Sequence, residues 1–166
     1  PNLLAFCWVI DFPFFEKTDD GNWTFSHNPF SAPKPEHMQM LMDKCNLGEI
    51  LTTQYDLALN GFEAAGGSIR NHQSEPLKKV FEVMGFSDEQ INEQFGHMLE
   101  AFKFGAPPHG GIAFGLDRVV AILNNEPNIR EVMAFPKTGD ARDLMMGAPS
   151  EMPEKALREA HIKIAE

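Results

Sequence analysis

The chain has 166 residues, 43% of them hydrophobic, which is enough to bury one substantial core and makes one domain the default expectation. Its formal net charge of −10 argues against a general nucleic-acid surface, which needs clustered Lys and Arg to neutralise phosphates. Neither a run of about 18 apolar residues nor a basic signal-peptide start occurs, and Cys7 and Cys45 lack metal spacing, so the expectation is a soluble cytoplasmic protein with two reduced thiols.

The first predicted element is Leu3 to Pro13, apolar nearly throughout, as suits a strand buried on both faces. Domain termini normally lie in exposed polar segments, so an opening in mid-core suggests continuation from a longer polypeptide. Lys17 to Asn22 reads as a polar hairpin loop before Trp23-Thr24-Phe25. In Ser26-His27-Asn28-Pro29-Phe30-Ser31-Ala32-Pro33, two prolines impose a rigid irregular loop, and His27 is either a surface or capping group or a ligand contact. Glu36 to Asn46 fits a short helix or an ordered loop.

Ile50 to Leu59 alternates as a strand, Asn60-Gly61 is a strong turn signal, and Phe62 to Asn71 returns as the antiparallel partner. Asp56, Glu63 and Arg70 recur along this hairpin at intervals of seven. An odd interval reverses the face of an uninterrupted strand, so convergence requires the turn and a bulge, expected at Gly66-Gly67. Converged, the two carboxylates form a hard oxygen site suited to Mg2+, and Arg70 is able to grip a carboxylate with two parallel donors. Unconverged, the three are an ordinary charged strand surface with a turn-capping Glu.

Two helices come next, Pro76 to Met84 stopped by Gly85, and a second opened by the capping box Ser87-Asp88-Glu89-Gln90 and running to about Phe104. Leu77, Val80, Phe81 and Met84 line one face of the first, and Ile91, Phe95, Met98, Leu99 and Phe102 one face of the second. His72, His97 and His109 have no partners at metal spacing. In Pro107 to Arg118, Gly110, Gly111 and Gly115 strip side chains from a short strand, and Arg118 stands in the first turn of an apolar helix. There it either pairs with a nearby acid or extends its guanidinium to a phosphate or a ring. Lys137 and Arg142 are exposed bases or phosphate contacts, Gly139 to Pro149 is a loop, and Pro153 to Ile164 is an outer amphipathic helix.

Gly-Ile-Ala-Phe-Gly-Leu-Asp-Arg, residues 111–118, resembles motif 3 of class II aminoacyl-tRNA synthetases. Tyr55 to Arg70, together with Asp-Phe-Pro-Phe-Phe-Glu and His-Asn-Pro-Phe-Ser-Ala-Pro, is similar to the bacterial-type aspartyl-tRNA synthetases. Asn28 stands where many relatives have a second His, and Ala65 where a third Gly is common.

The resemblance implies an α+β fold, an antiparallel sheet flanked by helices, as a partial class II catalytic core. Residues 1–166 would be the C-terminal portion of the catalytic domain, with motif 3 at 110–123. The anticodon-binding domain and motifs 1 and 2 are absent from this stretch, and Asn128 to Lys137 is expected to close the same sheet.

The implied activity joins L-aspartate to ATP, releasing pyrophosphate, and passes the aspartyl group to tRNA(Asp), in a homodimeric parent protein. By resemblance His27 and Arg70 bind aspartate, and Glu63, Gly115, Leu116, Asp117 and Arg118 bind ATP. Asp56 and Glu63 serve Mg2+, and no catalytic group stands apart from substrate binding. Losing one partner of a buried Arg70–carboxylate pair would cost about 3–5 kcal/mol and so select aspartate over asparagine. The chain by itself is expected to be inactive. An asparaginyl, lysyl or asparagine synthetase-like relative, and a non-catalytic nucleotide- or amino-acid-binding module, stay open.

Overall fold

The computed structural model describes residues 3–165 and builds them around a four-stranded antiparallel sheet and a packed helix pair. In chain order the elements are β1 (Phe6–Ile10), β2 (Phe15–Lys17), β3 (Trp23–Phe25), α1 (Met38–Asp43), β4 (Gln54–Leu59), β5 (Phe62–Ile69), α2 (Ser74–Val83), α3 (Asp88–Lys103), β6 (Gly110–Phe114), α4 (Leu116–Leu123) and α5 (Glu154–Glu159). The sheet order is β1-β4-β5-β6, with β2 and β3 as a separate hairpin. This is the α+β arrangement expected from the sequence. No helix among the described residues is long and apolar enough to cross a membrane.

The β4–β5 hairpin turns at Asn60 (φ 50°) and Gly61 (φ 86°), successive left-handed residues whose twist matches the flanking strands. A bulge is present, but at Ala64 and not at Gly66-Gly67: Leu57 pairs with Ala65 while Ala58 pairs with Glu63. Gly66 and Gly67 lie in regular register, and their lack of side chains serves close approach instead. A Cβ on Gly67 would sit 1.9 Å from the Gly111 carbonyl oxygen of β6.

Two apolar clusters meet at α2. Val80 joins Phe14, Phe15, Leu41 and Ile50, whereas Leu77 and Phe81 join Ile91 and Leu99 of α3. The predicted capping box forms, with the Gln90 N–H donating to the Ser87 hydroxyl and the Ser87 N–H to the Gln90 side chain. Phe81 and Phe95 stack with ring centroids 4.1 Å apart. Glu36 to Asn46 resolves in favour of helix, as α1.

Glu82 of α2 accepts from Lys44 at 2.7 Å and Lys79 at 2.8 Å, and these two ammonium groups lower its pKa below the ordinary 4.5. The contribution to stability is therefore present above pH 4.5 and fades as pH falls below it. Glu82→Gln is expected to cost about 1 kcal/mol at neutral pH, the scale of charge-assisted bonds at a partly exposed site. Thermal melts at pH 7 and pH 3.5 check this, the gap between wild type and variant narrowing at the lower pH.

Three expectations are corrected. Every residue of β1 is exposed, Phe6 and Ile10 at 60% and Trp8 at 58%: among the described residues β4 is its one sheet neighbour and no layer covers either of its faces. Asn128 to Lys137 adds no strand to the sheet. Instead Asn128 accepts from the Arg130 N–H at 2.8 Å and turns the chain into a single 3-10 turn, Ile129–Glu131, between Pro127 and Pro136. The final helix is the six-residue α5, which buries nothing and partly shields only Ala156 and Leu157.

Candidate functional site

The bulge at Ala64 does the work that the seven-residue spacing required. Glu63 stands opposite Ala58, two residues along β4 from Asp56, and Gly66 stands opposite Asp56. The extra residue restores parity, so Asp56, Glu63, Gly66 and Ser68 share one face and Arg70 follows at the strand end. Asp56 Oδ1 and Glu63 Oε1 lie 2.8 and 3.3 Å from the point that a Gly66 Cβ would occupy. The missing side chain is thus the space into which both carboxylates lean.

These groups line a cavity of about 290 Å3 with His27, Asn28, Gln54, Ser68 and Arg70. Burial raises the pKa of Asp56, with the neighbouring Glu63 charge adding to it, while His27 and a hydrogen bond from Gln54 pull the other way. A carboxylate held up by burial and by a like charge gains from any cation that enters. Among the described residues no cluster of three or more His, Cys, Asp or Glu is placed to hold a metal. The two-acid set fits Mg2+, which commonly takes one or two carboxylates and completes its shell with phosphate oxygens and water.

Arg70 is half-buried. Its N–H donates to the His109 carbonyl at 2.9 Å, and it bridges Ser31 on the other side, so its backbone is fixed between the prolyl loop and the approach to β6. Among the described residues its guanidinium forms no ion pair, although two carboxylates line the same cavity. It is not deeply buried, so the cost of leaving it unpaired falls below that of a buried pair. His27 is exposed, with its ring edge-on to Phe12 at 5.3 Å.

Arg118 lies outside this cavity's lining. It lines a separate, smaller groove with Phe62, Ala121, Ile122 and Pro127. Its Nη1 donates to the Glu63 carbonyl at 2.8 Å and stands 3.4 Å from Glu63 Oε2, and the Gly115 N–H donates to the Ala64 carbonyl at 2.9 Å. The start of α4 is thereby pinned to the bulge, and Glu63 links the cavity to the guanidinium. Gly115, Leu116 and Asp117 are exposed beside it and do not line the cavity. Lys137 and Arg142 make no contribution to either lining.

Sequence reasoning overlooked Gln54 and read Asn28 only as a departure from the second His of many relatives. Gln54 precedes Asp56 by two residues in β4, so strand alternation alone puts it on the acidic face. It is 6% exposed, and its Oε1 has no hydrogen-bond partner.

Comparison with known proteins places these features in context. The family model described as "tRNA synthetases class II (D, K and N)" matches residues 1–139. An aspartate–tRNA(Asp/Asn) ligase of Chlorobium luteolum is 54% identical over 165 residues, covering 99% of this chain and 27% of the relative. An aspartate–tRNA ligase of Streptomyces avermitilis is 52% identical over 164 residues, covering 98% of this chain and 28% of its own length. The chain therefore spans little more than a quarter of the curated relatives it matches.

Among solved structures, an asparaginyl-tRNA synthetase of Entamoeba histolytica in complex with asparaginyl-adenylate aligns with a TM-score of 0.61 at 22% identity, covering 84% of this chain and 26% of that one. An aspartyl-tRNA synthetase of the same organism aligns at 0.59 and 24%, covering 81% and 23%. At such identities the likeness speaks to the fold.

Proposed function

This chain belongs to the class II tRNA synthetases of the D, K and N group, and from that membership we propose that the longer polypeptide carrying it is a cytoplasmic, homodimeric aspartate–tRNA ligase. It activates L-aspartate with ATP to aspartyl-adenylate and transfers the aspartyl group to tRNA(Asp). Residues 1–166 are the C-terminal portion of its catalytic domain, with motif 3 at 110–123. The observation that carries this reading is the Arg70 guanidinium, without an ion pair among the described residues, in a cavity shared with His27 and the converged Asp56 and Glu63.

The chemistry follows from charge. The attacking group is the α-carboxylate of aspartate, already ionised at neutral pH, so no general base is needed. What opposes reaction is repulsion between that carboxylate and a triphosphate, and the remedy is positioning plus cations where charge develops. Arg70 holds the side-chain carboxylate through two parallel N–H donors, which leaves the α-carboxylate free to attack, and His27 donates to the same ligand. ATP lies along Glu63, Gly115, Leu116, Asp117 and Arg118, with Arg118 anchored through Nη1 to Glu63 and its remaining donors available to phosphate. Asp56 and Glu63 would hold Mg2+, which when bound neutralises phosphate charge.

The acceptor tRNA hydroxyl then displaces AMP from the adenylate. Arg70 gives the specificity for aspartate, since an asparagine amide offers its donors one neutral oxygen in place of a charged pair.

The isolated 166-residue chain is expected to show no aspartate-dependent ATP–pyrophosphate exchange, and the polypeptide at the length of its relatives to show it readily. Radiolabelled pyrophosphate incorporation into ATP measures both. Robust exchange by the isolated chain, or none by the longer polypeptide with aspartate, contradicts the reading.

A further inference from the structure

The geometry points to Asn28 as a positioning residue for amino-acid binding, a role that rests on the aspartate reading of the cavity. The Asn28 Oδ1 accepts from the Phe30 N–H at 3.0 Å, the Ser31 N–H at 3.0 Å and the Ser31 hydroxyl at 3.3 Å. One amide oxygen thus closes an Asx turn directly after His27 and satisfies two polar groups of Ser31, which is wholly buried.

The turn matters because of what it docks against. Ser31 bridges Arg70, the Asn71 N–H donates to the Phe30 carbonyl at 2.8 Å, and the Ala32 N–H to the Ile69 carbonyl at 2.9 Å. Residues 30–32 therefore ladder onto residues 69–71, the stretch from which Arg70 emerges. At the other end of the turn stands His27, held edge-on by Phe12. Asn28 braces the turn between His27 and this ladder and lines the cavity beside it, while the Thr53 hydroxyl, 3.0 Å from both the Ala32 and Ile69 carbonyls, fastens the ladder itself. Without its oxygen the buried Ser31 N–H and hydroxyl lose their acceptor, and the turn is free to carry His27 out of alignment with Arg70, whose own backbone stays held by His109. Asp56, Glu63 and Arg118 are held by β4, β5 and α4 and do not depend on this turn.

The role separates the two substrates. In the polypeptide at the length of its relatives, Asn28→Ala is expected to raise the aspartate KM in ATP–pyrophosphate exchange about tenfold, equivalent to about 1.4 kcal/mol. The ATP KM and kcat stay within about twofold. Asn28→Ser recovers part of the loss, because a hydroxyl oxygen accepts the same backbone bond, though more weakly. Ser31→Ala, which removes only the hydroxyl link and leaves both backbone bonds, gives a shift of about threefold in the same direction.

An unchanged aspartate KM in Asn28→Ala overturns the role, as does an equal loss for ATP or in kcat. Should Asn28→Ala fail to fold, Ser31→Ala carries the test, and an unchanged aspartate KM there overturns it. Absence of exchange in the unaltered polypeptide overturns the aspartate reading and this role together. Exchange in the unaltered polypeptide without a KM shift in the variants overturns the role alone.

Discussion

Arg70→Leu, in the polypeptide at the length of its relatives, lowers kcat/KM for aspartate in ATP–pyrophosphate exchange by about two to three orders of magnitude. Truncating one partner of a buried hydrogen-bonded charge pair costs about 2–5 kcal/mol, a ligand seated on the half-buried guanidinium would complete its burial, and each 1.4 kcal/mol is a factor of ten. The guanidinium forms no ion pair among the described residues, although Asp56 and Glu63 line the same cavity, and its backbone is held by Ser31 and His109. The melting temperature should therefore move little, since the side chain is only half-buried and forms no ion pair among the described residues. Arg70→Lys should recover only part of the activity, because an ammonium keeps the charge and loses the planar fork. A fall in kcat/KM of less than about fivefold in Arg70→Leu runs against the assignment.

Gly67→Ala is expected to destabilise the fold by about 3 kcal/mol or more, the upper end of what overpacking costs. The new methyl carbon would lie 1.9 Å from the Gly111 carbonyl oxygen and 2.9 Å from both the Gly111 carbonyl carbon and the Ile112 Cα. All three are backbone atoms of β6, so β5 and β6 must separate. The loss would carry away the docking of Arg118, because the Ala64 and Glu63 carbonyls that hold α4 belong to β5. Urea denaturation reads the effect as a lowered midpoint. Gly66→Ala supplies the contrast: its methyl meets the movable Asp56 Oδ1 at 2.8 Å, so the strand survives and the carboxylate pair is pushed apart. Equal midpoints for wild type and Gly67→Ala contradict the close-approach account.

The hairpin shows what a sequence carries and what it withholds. Asn60-Gly61 and the alternation around it give the turn, the strands and the antiparallel pairing, and the seven-residue spacing of Asp56, Glu63 and Arg70 demands a change of parity. Where that change occurs is set by backbone pairing across two strands. Ala64 carries no compositional mark of a bulge, whereas Gly66 and Gly67 attract notice for a different reason, the close approach of a carboxylate pair and of β6. The helix pair was legible because Ser87 and Gln90 cap locally and the Phe and Met stripes have one period.

Elsewhere the decisive information is not local. The apolar run through Phe6, Trp8 and Ile10 reads as core, yet among the described residues no layer packs on either face of this edge strand. Asn128 diverts the tail into a turn that hydrophobicity alone reads as strand. The candidate site divides in the same way. His27, Asp56, Glu63 and Arg70 were legible and do meet, while the displacement of Arg118 into a neighbouring groove depends on how α4 is pinned to the bulge. The Asn28 turn was readable from Asn-Pro chemistry, but its partner strand was not.

The account turns on one ligand contact, and a crystal structure of the longer polypeptide with L-aspartate and an unreactive ATP analogue observes it directly. It predicts the aspartate side-chain carboxylate on Arg70 through two parallel N–H donors, with His27 within hydrogen-bonding distance of the same ligand. Aspartate seated away from His27 and Arg70, or Arg70 turned out of the cavity toward solvent, contradicts it.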